Sequence, residues 1–261
     1  MGLRSRIFRA VLFGLTGLLL SFGSLQAAEV KVMISGGLSA AYRALTPEFE
    51  QSTGNKLTTF WGPSMGTTHD AIPVRLDRGE SADVLIMVGS ALGDLIKQGK
   101  VVADSRVDLV RSPIGMVVRA GAPKPDISTV EALKKTLLAA KSVVYSDSAS
   151  GVYVGGELFK RLGIAEQMQG KSRMIPADPV AGVVAKGEAE LGFQQISELL
   201  PIPGADLVGP LPDEVQKITV FSAGVVVGLK EPEAARALVA FLASPVAAPT
   251  LQKSGLEPIT K

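Results

Sequence analysis

From Glu29 onward, short apolar runs alternate with longer stretches whose apolar positions recur every three to four residues. This spacing predicts strands over Val30–Ile34, Lys56–Trp61 and Ala82–Val88, and helices over Ala40–Gln51, Thr68–Arg78 and Ala91–Gln98. Leu45 and Phe49 on the first helix, and Ile72 and Leu76 on the second, stand four residues apart and form inward-facing stripes. Strand and helix in strict alternation are the mark of a parallel sheet covered by helices. In such a sheet ligands collect at the carboxyl ends of the strands.

Ile114–Val118 reads as a further strand, and Arg119-Ala120-Gly121-Ala122-Pro123-Lys124-Pro125 interrupts the pattern with glycine and proline, which marks a lobe boundary. A second alternating block follows: helix Ser128–Ala139, strand Ser142–Tyr145, helix Val152–Leu162, strand Ser172–Ile175, helix Val180–Gly187 and strand Glu190–Gln194. Proline and glycine crowd Pro201–Pro212 before a strand over Ile218–Val227, a helix over Glu231–Ala243 and a closing helical piece over Val246–Ser254. The fold class is α/β with two lobes, and the cleft between them is the natural ligand site.

The first 27 residues do not belong to this pattern. Arg4, Arg6 and Arg9 precede the apolar run Ala10–Phe22, and small residues around Ala27-Ala28 offer a cleavage point, so the segment reads as an export signal. The run is short for a membrane span and no stop-transfer pattern follows it, so no stable membrane anchor is expected. Taking those three arginines from the 27 basic residues leaves them one short of the 25 acidic ones, so the basic isoelectric point belongs to the leading segment. Dispersed basic residues and few aromatics exclude a nucleic-acid footprint. The absence of cysteine excludes a lipidated cysteine, disulfides, thiolate metal sites and a cysteine nucleophile together. With a single histidine and no close cluster of carboxylates, no metal site is expected. The glycines match neither a dinucleotide fingerprint nor a phosphate loop, so no cofactor is expected.

Two turns join a predicted strand to a predicted helix: Ser35-Gly36-Gly37-Leu38-Ser39 and Gly62-Pro63-Ser64-Met65-Gly66-Thr67-Thr68. Helix starts carry unpaired N–H groups and partial positive charge, and glycine admits a ligand close to the backbone, so both turns are candidate anion cradles. A third, Tyr145-Ser146-Asp147-Ser148-Ala149-Ser150-Gly151-Val152-Tyr153, has the same setting in the second block. A fourth candidate is Gln194-Gln195 at a strand end, of which only one side chain can look into the cleft. Gly62–Gly66 also matches the G-x-S-x-G nucleophile elbow, but that chemistry needs a histidine late in the chain and His69 is the only one. Ser64 therefore reads as an anion-facing hydroxyl. His69 falls one turn into the expected helix, where its neutral form is favoured, as suits a general base.

The strand and turn Lys31–Ser39 followed by Ala40-Ala41-Tyr42, the phrase Glu80–Ile86, Ala149–Tyr153 and Gly187–Gly192 together resemble the type II periplasmic solute-binding proteins of the molybdate-binding-like group. The resemblance implies two lobes joined by two chain crossings, with residues 28–118 and 218–261 in one lobe and 119–217 in the other. It departs from the group where ligand chemistry is concerned. The first-loop serine of the group falls at Gly37, its second-loop serine is blurred by extra residues around Gly62–His69, and its late tyrosine falls at Gln195. Smaller first-loop residues and a longer second loop leave room for an extended organic anion.

The group includes an enzymatic offshoot of similar length, exported in the same way, that interconverts trans- and cis-aconitate by a cofactor-free allylic proton shift. The resemblance implies that activity here, with Ser35, Gly36, Gly37, Ser64, Met65, Gly66, Thr67, Ser148, Ser150, Gly151 and Gln195 as ligand donors. Ser64 or His69 is then nearest the proton chemistry. The competing expectation is a noncatalytic periplasmic receptor that hands molybdate, another oxyanion or an organic acid to an ABC permease. On either reading the partner is a small anionic metabolite and the protein works as a monomer.

Overall fold

The computed structural model describes residues 27–176, 178–229 and 232–259, so the expected export signal lies almost wholly outside the described residues. Two mixed sheets form two lobes. The first contains β1 (Glu29–Ile34), β2 (Lys56–Trp61), β3 (Val84–Val88), β4 (Val107–Ser112), β10 (Thr219–Val225) and β11 (Glu257–Pro258), in the order β11-β4-β10-β3-β1-β2. The second contains β5 (Ile114–Arg119), β6 (Val143–Ser146), β7 (Ser172–Ile175), β8 (Leu191–Gln195) and β9 (Ala205–Pro210), in the order β7-β6-β8-β5-β9.

The helices in chain order are α1 (Ser39–Thr53), α2 (Ile72–Asp77), α3 (Gly89–Lys97), α4 (Val130–Ala139), α5 (Ala149–Tyr153), α6 (Phe159–Arg161), α7 (Ala165–Met168), α8 (Val180–Ala185), α9 (Ile196–Leu199), α10 (Pro232–Leu242) and α11 (Ala248–Lys253). A π-helical stretch, Val154–Leu158, joins α5 to α6. Each sheet is covered on both faces. On the first, Leu45 and Phe49 of α1 pack with Leu238 and Leu242 of α10 and Leu251 of α11 on one side, and Ile72, Leu92 and Leu95 of α2 and α3 pack on the other. On the second, α4, the α5–α6 segment and α7 cover one face and α8 with Leu199 the other. Strands buried on both faces explain the uninterrupted apolar run of β3, in which Val84–Met87 are wholly buried. No helix among the described residues is long and apolar enough to cross a membrane.

Three expectations change. The sheets are not purely parallel: β10 enters the first sheet antiparallel between β3 and β4, and β5 runs antiparallel to both β8 and β9. The expected lobe boundary at Arg119 moves to Pro113, because β5 pairs only within the second sheet and the chain leaves the first at Ser112. The glycine-proline break after Arg119 is a turn inside the second lobe. Finally, Pro201–Pro212 contains β9, an edge strand, where the missing N–H of Pro210 is tolerated.

Candidate functional site

The carboxyl ends of β1, β2 and β3 bring the first two turns together. Ser35 follows β1 and anchors its N–H on the Ile86 carbonyl at 3.0 Å. Ser64 donates its hydroxyl proton to Ser35 Oγ at 2.8 Å and accepts the Val88 N–H at 2.9 Å. Both serines are buried. Because Ser64 spends its proton on Ser35, the Ser35 hydroxyl keeps its own proton to donate.

The rest of the second turn is organised differently from the sequence expectation. The helix starts at Ile72 rather than Thr68, so His69 stands on an exposed turn before it and not one turn inside it. A Cβ on Gly62 would lie 2.0 Å from the Asp70 carbonyl oxygen, and Pro63 O accepts the Ile72 N–H at 2.9 Å, so the loop closes on its own backbone before a six-residue helix. Met65, Gly66 and Thr67 lie on the exposed rim of this loop, and Gly66 adopts φ +101°, a left-handed conformation that favours glycine. The partners of Ser64 are Ser35 and Val88, not His69.

In the second lobe, the end of β6 and the start of α5 bring three hydroxyls into one triangle: Ser146–Ser148 at 2.7 Å, Ser146–Ser150 at 3.1 Å and Ser148–Ser150 at 3.2 Å. Each hydroxyl rotates, so the triangle can turn several donors toward an anion. Gly151 makes this possible, since a Cβ there would lie 1.5 Å from the Ser146 carbonyl oxygen. Gly37 is also a packing glycine: a Cβ would meet the Phe221 ring at 2.1 Å, and its carbonyl accepts the Ser197 hydroxyl at 2.7 Å across the lobes.

Gln195, expected as a ligand donor, ties the two crossings together. Its buried amide meets Ser112 Oγ at 2.9 Å on one crossing and Thr219 Oγ1 at 2.8 Å on the other. With the amide nitrogen turned toward the first crossing it also donates to the Ser112 and Pro113 carbonyls, at 2.9 and 3.2 Å. Gln216 repeats the device, bonding both the N–H and the carbonyl of Ile114. Gln195→Leu is expected to destabilise the protein by about 1–3 kcal/mol, because two buried hydroxyls lose their amide partner; the midpoint of urea unfolding checks this.

The alternation of side chains along β8 sends the preceding residue, Gln194, the other way. It accepts the Val180 N–H at 3.3 Å and hydrogen-bonds Glu198. Glu198 was not visible to the sequence reading, which stopped at the strand end. The signal available was Ile196-Ser197-Glu198, a polar pair directly after a buried strand. Glu198 retains a small exposed surface, yet desolvation pushes its carboxyl up to about 7, with the Asp147 charge adding to the rise and the Gln194 hydrogen bond opposing it.

Comparison with known proteins agrees with this architecture. Residues 30–257 match the family model for bacterial extracellular solute-binding proteins. An aconitate isomerase from Pseudomonas sp is 52% identical over 249 residues, covering 94% of this chain and 95% of that protein. The molybdate-binding protein ModA of Azotobacter vinelandii is 27% identical, covering 88% and 90%. Among solved structures, the sulfate-binding protein SubI from Mycobacterium tuberculosis H37Rv superposes with a TM-score of 0.69 at 18% identity, covering 89% of this chain and 87% of that one. With two lobes, paired crossings and a family match over nearly its whole described length, the chain belongs to the bacterial extracellular solute-binding protein family.

Proposed function

We propose that this protein interconverts trans- and cis-aconitate by a cofactor-free allylic proton shift carried out in the cleft of a binding-protein scaffold. The observation that carries the reading is the 52% identity, over 94% of the chain, to the Pseudomonas aconitate isomerase. The reaction removes a proton from the substrate methylene, spreads the charge through the double bond into a carboxylate, and returns the proton at the other end. It needs carboxylates held still and donors aimed at the developing charge. The Ser35 hydroxyl on one lobe and the Ser146–Ser148–Ser150 triangle on the other supply such donors. The protein acts in the periplasm as a monomer, with its leading segment removed near Ala27.

A second reading, capture of an oxyanion or organic acid for an ABC importer without turnover, is favoured by the molybdate-binding relative and by a fold whose closure alone serves capture. Incubating the mature protein with trans-aconitate and separating the products by chromatography distinguishes the two. The cis isomer is expected to accumulate to equilibrium. No turnover together with saturable binding of molybdate or sulfate would replace isomerisation by capture.

A further inference from the structure

Glu198 occupies the line along which the lobes meet. It sits on α9 of the second lobe, and its neighbour Ser197 bonds the Gly37 carbonyl of the first at 2.7 Å. The Glu198 carboxyl lies against the next residue back: a Cβ on Gly36 would stand 2.4 Å from Glu198 Oε1. Gly36 directly follows Ser35, whose hydroxyl accepts that of Ser64. On its other side the carboxyl bonds Gln194 and feels Asp147, which stands between Ser146 and Ser148 of the hydroxyl triangle. One carboxyl thus lies against the turn that carries the first donor set and within the field of a charge from the turn that carries the second.

An ionised carboxylate only accepts hydrogen bonds, so it does nothing to hold an anion and repels one. In that form it does not help a cleft to capture a negative ligand. The group has a use where a proton must leave and rejoin the ligand. We propose that Glu198 carries that proton: its carboxylate takes it from the substrate methylene and gives it back at the far end of the allyl system. In the first step a C–H bond breaks, an O–H bond forms on Glu198, and the electron pair passes into the allyl system and its carboxylates. In the second the O–H bond breaks and a C–H bond forms at the other terminus, leaving Glu198 ionised as it began. The inference rests on the aconitate reading and adds the catalytic residue to it.

The surroundings suit a carboxyl that must exist in both forms. Asp147 is the charged side chain whose field reaches it. The turn Gly36–Leu38 and the first turn of α1 carry no titratable group other than Tyr42, whose hydroxyl bonds Thr59. Beneath α9, the charged residues of β5 and β9 are Arg119, Asp206 and no others, at the ends of those strands away from the Ile114–Gln195 pairing. A group held near neutrality is matched to both taking and returning a proton.

The test measures turnover of trans-aconitate and its binding by calorimetry for wild type, E198Q and E198D, with methylene deuteration in D2O followed by NMR. E198Q is expected to lower kcat by about 10³-fold and to abolish deuteration, while binding stays within about threefold or tightens. A merely structural role would weaken binding as much as it lowers kcat. E198D, which keeps the acid but withdraws it by one methylene, is expected to fall between the two in kcat with KM little changed. Wild-type kcat in E198Q, or in E198A should E198Q not fold, overturns the inference while leaving aconitate as substrate. A wild type with no turnover removes the aconitate reading and this inference together.

Discussion

Gly151→Ala is expected to lower the melting temperature by about 6–12 °C and to abolish trans-aconitate turnover, although it adds a single methyl group. The Cβ would lie 1.5 Å from the Ser146 carbonyl oxygen and 2.5 Å from its carbon, both backbone atoms of a strand end that is itself buried. No side-chain rotation relieves such a contact, so the β6–α5 turn must open. Opening it costs about 3 kcal/mol at the upper end of overpacking effects, which for a chain of this size corresponds to about that drop in melting temperature. The same movement separates Ser146 from Ser148 and Ser150, which now bond one another within 2.7–3.2 Å. Gly156→Ala is the matched control, because a Cβ there meets nothing within 4 Å, and its melting temperature is expected to stay near wild type. Thermal unfolding and the chromatographic assay check both variants. A Gly151→Ala protein as stable as the control would mean that the turn yields more easily than its geometry implies.

The fold was legible wherever one physical signal dominated. Strands β1, β2 and β7 fall within a residue of their expected bounds because each is bordered by turn residues or helix stripes. Two kinds of strand were hidden. β4, Val-Asp-Leu-Val-Arg-Ser, mixes charge into a strand whose Asp108 and Arg111 bond Ser222 and Glu257. β9 ends in proline at a sheet edge, where local sequence looks like loop. The lobe boundary was misjudged for a related reason: glycine and proline mark a turn, but only strand pairing decides which sheet a strand joins.

At the site, turn chemistry was readable and side-chain destination was not. The Ser35 and Ser64 turns converge, and Ser148 and Ser150 do share one cluster, to which the structure adds Ser146. Gln194 and Gln195 were indistinguishable in sequence. One residue of alternation sends the first to Glu198 and the second to the crossings. Glu198 itself gave no motif, since its meaning comes from Gly36 and Asp147, which lie 162 and 51 positions away along the chain and are brought near only by the fold.

The same carboxyl leaves a mark on stability that needs no substrate to measure. Its folded value of about 7 stands above the ordinary range of about 4.3 for an unfolded glutamate. At and below that lower value both states hold the proton and the folded state is not penalised. As pH rises toward 7 the unfolded chain releases the proton while the folded one keeps it, so stability declines through this window and levels off above it. The full shift corresponds to roughly 3 kcal/mol; with part of the side chain still solvated, about 1–3 kcal/mol is expected. Glu50, held down first by the Leu57 N–H, and Glu80, held down by Arg78 and Arg75, act in the opposite sense, but below the ordinary carboxylate range and outside this window. E198Q is neutral throughout. It should match wild type near pH 4.5 and exceed its stability by about 1–3 kcal/mol at pH 8, as read from urea midpoints across pH 4.5–8. A variant that loses turnover and gains stability in the same pH range would show a carboxyl kept in the cleft for its chemistry against its own desolvation. An unchanged pH slope in E198Q would instead mean that this carboxyl is better solvated than its position between the lobes implies.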